Sequence, residues 1–471
     1  MLTLQHVLTA LINHKVGETD FAIADVCIDS RNAEKDSLFI ALKGEVTDGH
    51  FYVDEAFKNG AVLAIIDQEI NSVYPIVDIN QETQSSIPEQ PPFSLRTDNS
   101  LKALQKLAGY WRDQFDITVV GITGSVGKSS TKELTASVLS HRLVTLKNSG
   151  NLNNEIGLPL TLLKLNQSYE VAVLEMGFYV PGEIKLLCDI AKPQIGVVTN
   201  IGTVHAERAG SIEVIASGKS ELVQSLPSAP EGIAILNYDD ERVREMAKKT
   251  RAKVFYYGLC PQADLWADEI ESMGLEGIRC RMHQKDEVNY VTAPLIGRHS
   301  VYTMLRAAAV ALELGITWDW IFHAFKNSQV QLRIVTVQTA SGATLIDDTY
   351  NASPESTLAA LNLLDDLNGR KVAVLGDMLE LGQYESDGHQ RVGIRAAEVA
   401  DEIVLIGQRS LVTETAAINN GFDPAKIHWF ASAASAIEFL CSTLQAGDIV
   451  LVKGSHAMRM DQIVTALEEP R

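Results

Sequence analysis

No stretch of this 471-residue sequence is apolar for long enough to cross a bilayer, and no run of lysine and arginine interrupts a formal net charge of −20. Insertion into a membrane and binding to nucleic acid are both poor fits to that pattern. The five cysteines, Cys27, Cys188, Cys260, Cys280 and Cys441, include no C-x-x-C pair, so neither a disulfide framework nor a zinc ribbon is expected. Residues 1–6 lack the basic head and apolar core of a secretory signal, and reduced thiols in a cytoplasmic protein are the expectation. No G-x-G-x-x-G follows a strand-like run, so no nicotinamide or flavin is expected. With 40 Lys and Arg against 60 Asp and Glu, a small anionic ligand needs local donors rather than a favourable overall field.

What the sequence does have, 46% hydrophobic and 21% charged residues, is the composition of a globular chain, and at ~150 residues per domain its length fits about three domains. Its densest signal is G-I-T-G-S-V-G-K-S-S-T-K-E at 121–133. The β-branched run I-T-V-V precedes it and helix-forming residues from 133 to 140 follow, so the segment joins a strand to a helix. In such a phosphate loop Gly124, Ser125, Val126, Gly127 and Ser130 supply closely approaching backbone N–H groups, Lys128 reaches the outer phosphates, and the Ser129 hydroxyl can ligate Mg²⁺. Ile122 stands where the longer G-x-x-x-x-G-K-[ST] form has its first glycine, whereas the shorter G-[ST]-x-G-K-[ST] form fits.

Apolar runs at 171–174, 195–199 and 233–236 read as strands of a parallel sheet covered on both faces, in which ligands gather at the carboxyl ends. Glu175 follows the first run and His205 closes the segment after the second, so both are expected to converge on the loop, Glu175 as a Mg²⁺ ligand and His205 as a ligand or proton acceptor. A capping glutamate and a locally satisfied histidine are the alternatives. Asn151, Asn153 and Asn154 could hold a polar substrate, or merely make a loop. Asp29, Ser30 and Arg31, with Lys43 and Asp48 after them, suit a phosphorylated or nucleoside ligand and equally suit solvated turns. A polar, proline-rich segment at 84–92 reads as a surface insertion. Lys219 sits on a helix expected over 211–223, and a helix over 300–314 carries Val301, Met304, Leu305, Ala308, Ala311 and Leu312 on one packing stripe. From about Arg333 strands and helices alternate again in the manner of a dinucleotide fold, with Asp347, Asp348 and Asn351 at a strand end.

The loop G-S-V-G-K-S-S, the segments G-N-L-N-N-E-I-G-L-P, E-M-G and N-I-G-T-V-H, and the helix with Lys219 together resemble the central domain of the Mur ligases. Within that family D-S-R, A-L-K-G and D-G-H near the N-terminus, D-D-T-Y-N-A-S-P-E-S at 347–356 and G-D-M-L-E-L-G at 376–382 are similar to the member that adds D-alanyl-D-alanine. The resemblance covers nearly the whole chain. It implies an α/β protein of three domains: a UDP-sugar domain over 1–100, a central P-loop-type ATPase domain with a parallel sheet over 101–330, and a Rossmann-like domain over 331–471 that closes on ATP and binds the dipeptide. The implied reaction is the ATP-dependent joining of D-alanyl-D-alanine to UDP-N-acetylmuramoyl-tripeptide through an acyl phosphate, a cytoplasmic step of peptidoglycan synthesis, by a chain taken as a monomer.

The same resemblance assigns roles. Lys128, His205 and Lys219 are catalytic; Ser129 and Glu175 hold one Mg²⁺ and His205 a second; Lys219 matches a lysine that several family members carry as a carbamate. Arg333 and Asp348 contact the nucleotide, while Asp29, Ser30, Arg31, Lys43, Asp48, Asn151, Asn153, Asn154 and Asn351 fall to the substrates. Two departures stand out. The family usually shows G-x-H-N-x-x-N, its asparagines on adenine, where this chain has Ser300 and Thr303 after Gly297, Arg298 and His299, and Ser353 replaces an asparagine of Y-N-A-N-P. The ligase that adds the third residue, which typically carries a D-N-P-R segment absent here, and a nucleotide-binding regulatory homologue are the competing readings.

Overall fold

The computed structural model describes residues 1–12, 20–80, 87–88, 90–327 and 335–468. Arg333, residues 84–86 and 89 of the 84–92 segment, and the boundary expected at 330 lie outside the described residues. The chain forms two compact units, the first of residues Met1–Gly121, Leu143–Gly177 and Glu183–Gln194, the second of Ile122–Arg142, Phe178–Gly182 and Ile195–Arg471.

In the first unit a five-stranded, wholly parallel sheet runs in the order Val26–Cys27, Ser37–Ile40, Ala61–Ile66, Phe93–Arg96, Ile76–Asp78. Its middle strands are continuous apolar runs because both faces are covered, and Leu38, Phe39, Leu63, Ile65 and Phe93 are fully buried. The helix Val53–Asn59 ends at Gly60, whose φ of +118° suits a residue without a Cβ. Helix Ser100–Arg112 begins where the Asn99 side chain accepts the Lys102 N–H, and it packs on helices Gly157–Leu162 and Glu183–Ala191. At its last turn the buried Arg112 guanidinium donates to the carbonyls of Ala191, Phe115 and Ile117 at 2.9, 3.0 and 3.2 Å. Parallel strands Thr145–Lys147 and Val171–Glu175 complete this unit.

In the second unit strands Ile195–Val198, Ile233–Asn237, Lys253–Gly258 and Leu265–Ser272 pair in parallel, and Ile278–Gln284 and Glu287–Ala293 then extend the sheet antiparallel. The sequence reading did not anticipate this antiparallel extension. Its strands alternate inward Cys280, Met282, Val291 and Ala293 with charged or polar neighbours, and so lack the apolar runs of the parallel strands. A second sheet runs Val335–Gln338, Thr344–Asp348, Ile449–Lys453, Lys371–Gly376, Glu402–Ile406, Ile427–Phe430, parallel except for its first strand, in a Rossmann-like arrangement.

Two helices differ from expectation. The one after the phosphate loop begins at Lys128 rather than 133, so Lys128, Ser129 and Ser130 form its first turn. Helix Ser300–Glu313 is buried almost all round, including Ser300, Thr303 and Arg306, rather than along a single stripe. Ser353, the departure in the 347–356 segment, caps helix Pro354–Asp365. Its side chain accepts the Ser356 N–H while the Ser356 hydroxyl accepts the Ser353 N–H. Ser353→Ala should therefore cost about 1 kcal/mol of stability in urea unfolding, with Ser356→Ala costing less because it leaves the N-cap acceptor in place.

Candidate active site

Strand Thr118–Thr123 delivers the chain into the phosphate loop, and the loop is stitched to residues 199–202. Ser125 N–H donates to the Asn200 carbonyl at 2.9 Å, and Val126 N–H to the Asn200 side chain at 2.9 Å. The Val126 carbonyl accepts from the Thr199 hydroxyl at 2.7 Å and the Asn200 amide at 3.2 Å, while the Ser125 hydroxyl accepts the Gly202 N–H at 2.8 Å. Gly124 has φ of +143°, and a Cβ there would lie 1.8 Å from the Thr199 hydroxyl oxygen, so only glycine fits. Gly127, with φ of +84°, is the N-cap of helix Lys128–Leu139. The Lys128 ammonium folds back over the loop, donating to the carbonyls of Gly124 at 2.9 Å and Ser125 at 3.3 Å.

Lys219 enters from helix Ile212–Gln224, 1% exposed, and donates to the same Gly124 carbonyl at 3.0 Å while lying 4.7 Å from the centre of the Phe178 ring. Burial, and then the charge of Lys128, hold its pKa well below the usual lysine value. Among the described residues no carboxylate pairs with it. His205 faces this group of cations. Its Nδ1 meets Glu380 Oε2 at 2.6 Å and its ring sits edge-on to Tyr179, with centroids 4.6 Å apart. Burial lowers the His205 pKa, Glu380 opposes that shift, and Lys128 and Lys219 add to it. The contact is reinforced where Glu207 N–H donates to the Glu380 carbonyl at 3.1 Å. Both His205, φ +66°, and Glu380, φ +62°, adopt left-handed backbone, a conformation that costs on the order of 1–3 kcal/mol for such residues and collects at functional sites.

The remaining candidates in this unit are held as follows. The Ser300 hydroxyl donates to the Ile296 carbonyl just before the helix at 2.7 Å and the Thr303 hydroxyl accepts from Arg306 within it at 3.0 Å, so both departures from the asparagine pattern are locally engaged. Asp348 accepts from the buried Lys453 ammonium at 2.7 Å, and Lys453 also donates to the carbonyl of the exposed Asn351 at 2.9 Å. The sequence assigned no role to Thr199, Asn200, Arg306, Glu380 or Lys453, although Asn200 opens the N-I-G-T-V-H segment, Glu380 lies within G-D-M-L-E-L-G, and Lys453 stands at the carboxyl end of a strand.

The other candidates belong to the first unit. Asp29 accepts the Arg31 N–H at 3.0 Å and pairs with its guanidinium at 2.6 Å, which lowers the carboxyl pKa to about 2; the Arg31 side chain is 81% exposed. Ser30 is buried and its carbonyl accepts from Asn59 at 2.9 Å. Lys43 and Asp48 face each other in a single β-bridge, and Asp48 holds His50 Nδ1 at 2.6 Å. Glu175 is buried: Asn153 donates to its carboxylate at 2.8 Å, and Asn148 accepts its backbone N–H at 2.9 Å. Asn154 accepts the Gly157 N–H at 2.9 Å and Asn151 is exposed, so the three asparagines serve different purposes.

Three family models describe the chain: a Mur ligase family catalytic domain over residues 22–112, the Mur ligase middle domain over 122–311, and a Mur ligase glutamate ligase domain over 332–456. A curated relative from Synechocystis sp., UDP-N-acetylmuramoyl-tripeptide–D-alanyl-D-alanine ligase, is 35% identical over 95% of this chain and 92% of its own. The chain belongs to the Mur ligase family. The crystal structure of MurF from Acinetobacter baumannii superposes with a TM-score of 0.85 at 31% identity, covering 98% of each chain. MurF from Thermotoga maritima in complex with ADP matches at a TM-score of 0.80 and 27% identity, over 95% of this chain and 97% of that one. The expected α/β class with three Mur ligase domains and a Rossmann-like C-terminal domain stands.

The contact of Gly124 with Thr199 can be weighed by unfolding. Gly124→Ala should cost about 2–4 kcal/mol, combining strained backbone with a steric clash. Gly421→Ala, at φ +89° with nothing within 4 Å of its Cβ, should cost about 1–2 kcal/mol, the backbone share alone. Equal losses in urea unfolding would show that the close approach to Thr199 is not what demands glycine.

Proposed function

We propose that this Mur ligase joins D-alanyl-D-alanine to the terminal carboxylate of UDP-N-acetylmuramoyl-tripeptide, driven by ATP and releasing ADP and phosphate. The observation that carries the reading is an intact phosphate loop crowded by two lysines, in a chain related over nearly its full length to ligases named for that reaction. Domain boundaries near residues 100 and 330, a cytoplasmic setting and a monomeric state belong to the same proposal. Among the described residues no helix is long and apolar enough to cross a membrane.

A nucleotide triphosphate and Mg²⁺ fit the residues present. The side-chain-free corner at Gly124 and the two lysines that both donate to its carbonyl form a cationic cradle, which is the chemistry of a phosphate site. Among the described residues no cluster of three or more His, Cys, Asp or Glu occurs, in keeping with an ion held by few protein groups and by substrate phosphates. Ser129, Glu175, His205 and a carbamate on Lys219 are the groups we assign to Mg²⁺, which would neutralise charge on the phosphates. The low pKa of Lys219 favours the neutral amine, the form that adds to CO₂ with loss of a proton.

In the first step a carboxylate oxygen of the tripeptide bonds to the γ-phosphorus as the bridging bond to ADP breaks, giving an acyl phosphate. In the second, the dipeptide amine bonds to the acyl carbon, loses a proton, and phosphate departs. A carboxylate alone has no adequate leaving group, which is why phosphorylation must come first. Lys128 and the loop amides hold the transferring phosphoryl group. Asp348 and Arg333 are assigned to the nucleotide. Asp29, Ser30, Arg31, Lys43 and Asp48 are assigned to the UDP-sugar, and Asn151, Asn153, Asn154 and Asn351 to the peptide parts.

Phosphate release should require UDP-N-acetylmuramoyl-tripeptide, ATP and D-alanyl-D-alanine together. Release indifferent to the dipeptide would overturn the assignment, and no release at all would favour the regulatory reading. Lys219→Ala should keep its circular dichroism spectrum and melting temperature while turnover drops on the order of 100-fold or more. Full activity in that variant would remove Lys219 from the mechanism.

A further inference from the structure

Five cations are buried among the described residues: Arg112, Lys132, Lys219, Arg306 and Lys453. Four have evident reasons to be there. Arg112 donates to three carbonyls, Lys132 lies 3.1 Å from Glu133, Lys453 lies 2.7 Å from Asp348, and Lys219 belongs to the loop cluster with a pKa lowered by burial. Arg306 is different. It is 3% exposed, one terminal nitrogen reaches the Thr303 hydroxyl at 3.0 Å, its other polar side-chain neighbour is the neutral Tyr257 hydroxyl, and its Nε–H is buried without an acceptor. No carboxylate lies within ion-pair distance of it among the described residues, and its nearest aromatic face, Tyr257, is 5.7 Å away. A guanidinium is a permanent cation with five donors and no acceptor.

Its position gives it a use. Arg306 projects from helix Ser300–Glu313, which packs on the helix Lys128–Leu139 launched by the phosphate loop. Its terminal nitrogen lies 3.1 Å from where a Cβ on Gly127 would stand, against the N-cap of that helix. A permanent cation at the positive pole of a helix, with Lys128 the next residue, is electrostatically unfavourable unless an anion completes the arrangement. We infer that Arg306 is a positioning residue of the phosphate loop, a permanent charge beneath Gly127 that is balanced by the polyphosphate of a bound nucleotide. This rests on the reading that the loop takes ATP. The Thr303 hydroxyl then serves to orient the guanidinium.

The test uses the full chain, with isothermal titration by MgADP at two salt concentrations and thermal unfolding without nucleotide. Arg306→Met should bind MgADP about tenfold or more weakly and with a flatter salt dependence, yet unfold at the same or a higher temperature, because it removes an unpaired buried charge. Arg306→Lys should restore most of the affinity. Binding by Arg306→Met within twofold of the parent, or a loss of affinity that accompanies a lowered melting temperature in both variants, would overturn the inference and make Arg306 a structural brace. A parent chain that failed to bind MgADP would instead overturn the reading of the loop itself, whatever the variants did.

Discussion

One backbone oxygen, the carbonyl of Gly124, accepts from two lysines, Lys128 at 2.9 Å and Lys219 at 3.0 Å. Burial of Lys219, and then repulsion from the Lys128 ammonium that converges on the same neutral acceptor, hold the Lys219 pKa well below its usual value. The surroundings serve to hold that convergence. Gly124 has no side chain because Thr199 occupies the space, Thr199 and Asn200 hold the Val126 carbonyl, and Phe178 lies against both Gly218 and the Lys219 ammonium. The parallel strands set the height of the loop, and the helices bring the cations to it.

Much of this was legible in the residues. Apolar runs gave the parallel strands within a residue or two, since strands covered on both faces advertise themselves by composition. The phosphate loop was legible because close backbone approach admits few residue types. The antiparallel extension over 278–293 was not, because strands half exposed to water mix charged and polar with apolar residues and imitate loops. Glu380 and Arg306 were hidden for another reason. Their significance lies in what stands beside them, His205 in one case and Gly127 in the other, and those neighbours are 175 and 179 positions away in sequence.

The departures from the family pattern have local explanations. Ser353 supplies the acceptor of a capping box, a task for which serine is well suited, and its partner Ser356 completes the exchange. Ser300 and Thr303 do not present free hydroxyls, since one donates to the Ile296 carbonyl and the other receives the Arg306 guanidinium. Positions 303 and 306 thus form a bonded pair on a helix that is buried almost throughout.

The stitching of the loop to residues 199–202 also bears on how a ligand is received. Ser125 and Val126 are each held through backbone groups, and the strand end that holds them is itself locked into the sheet, so the loop has little conformational freedom left to lose. An anion arriving there orders almost nothing in the protein, and its binding free energy is not diminished by folding a cradle around it. The loop is therefore rigid before any ligand arrives, and under the proposed function a substitution in the strand Ile195–Val198 would be felt as a change in nucleotide affinity.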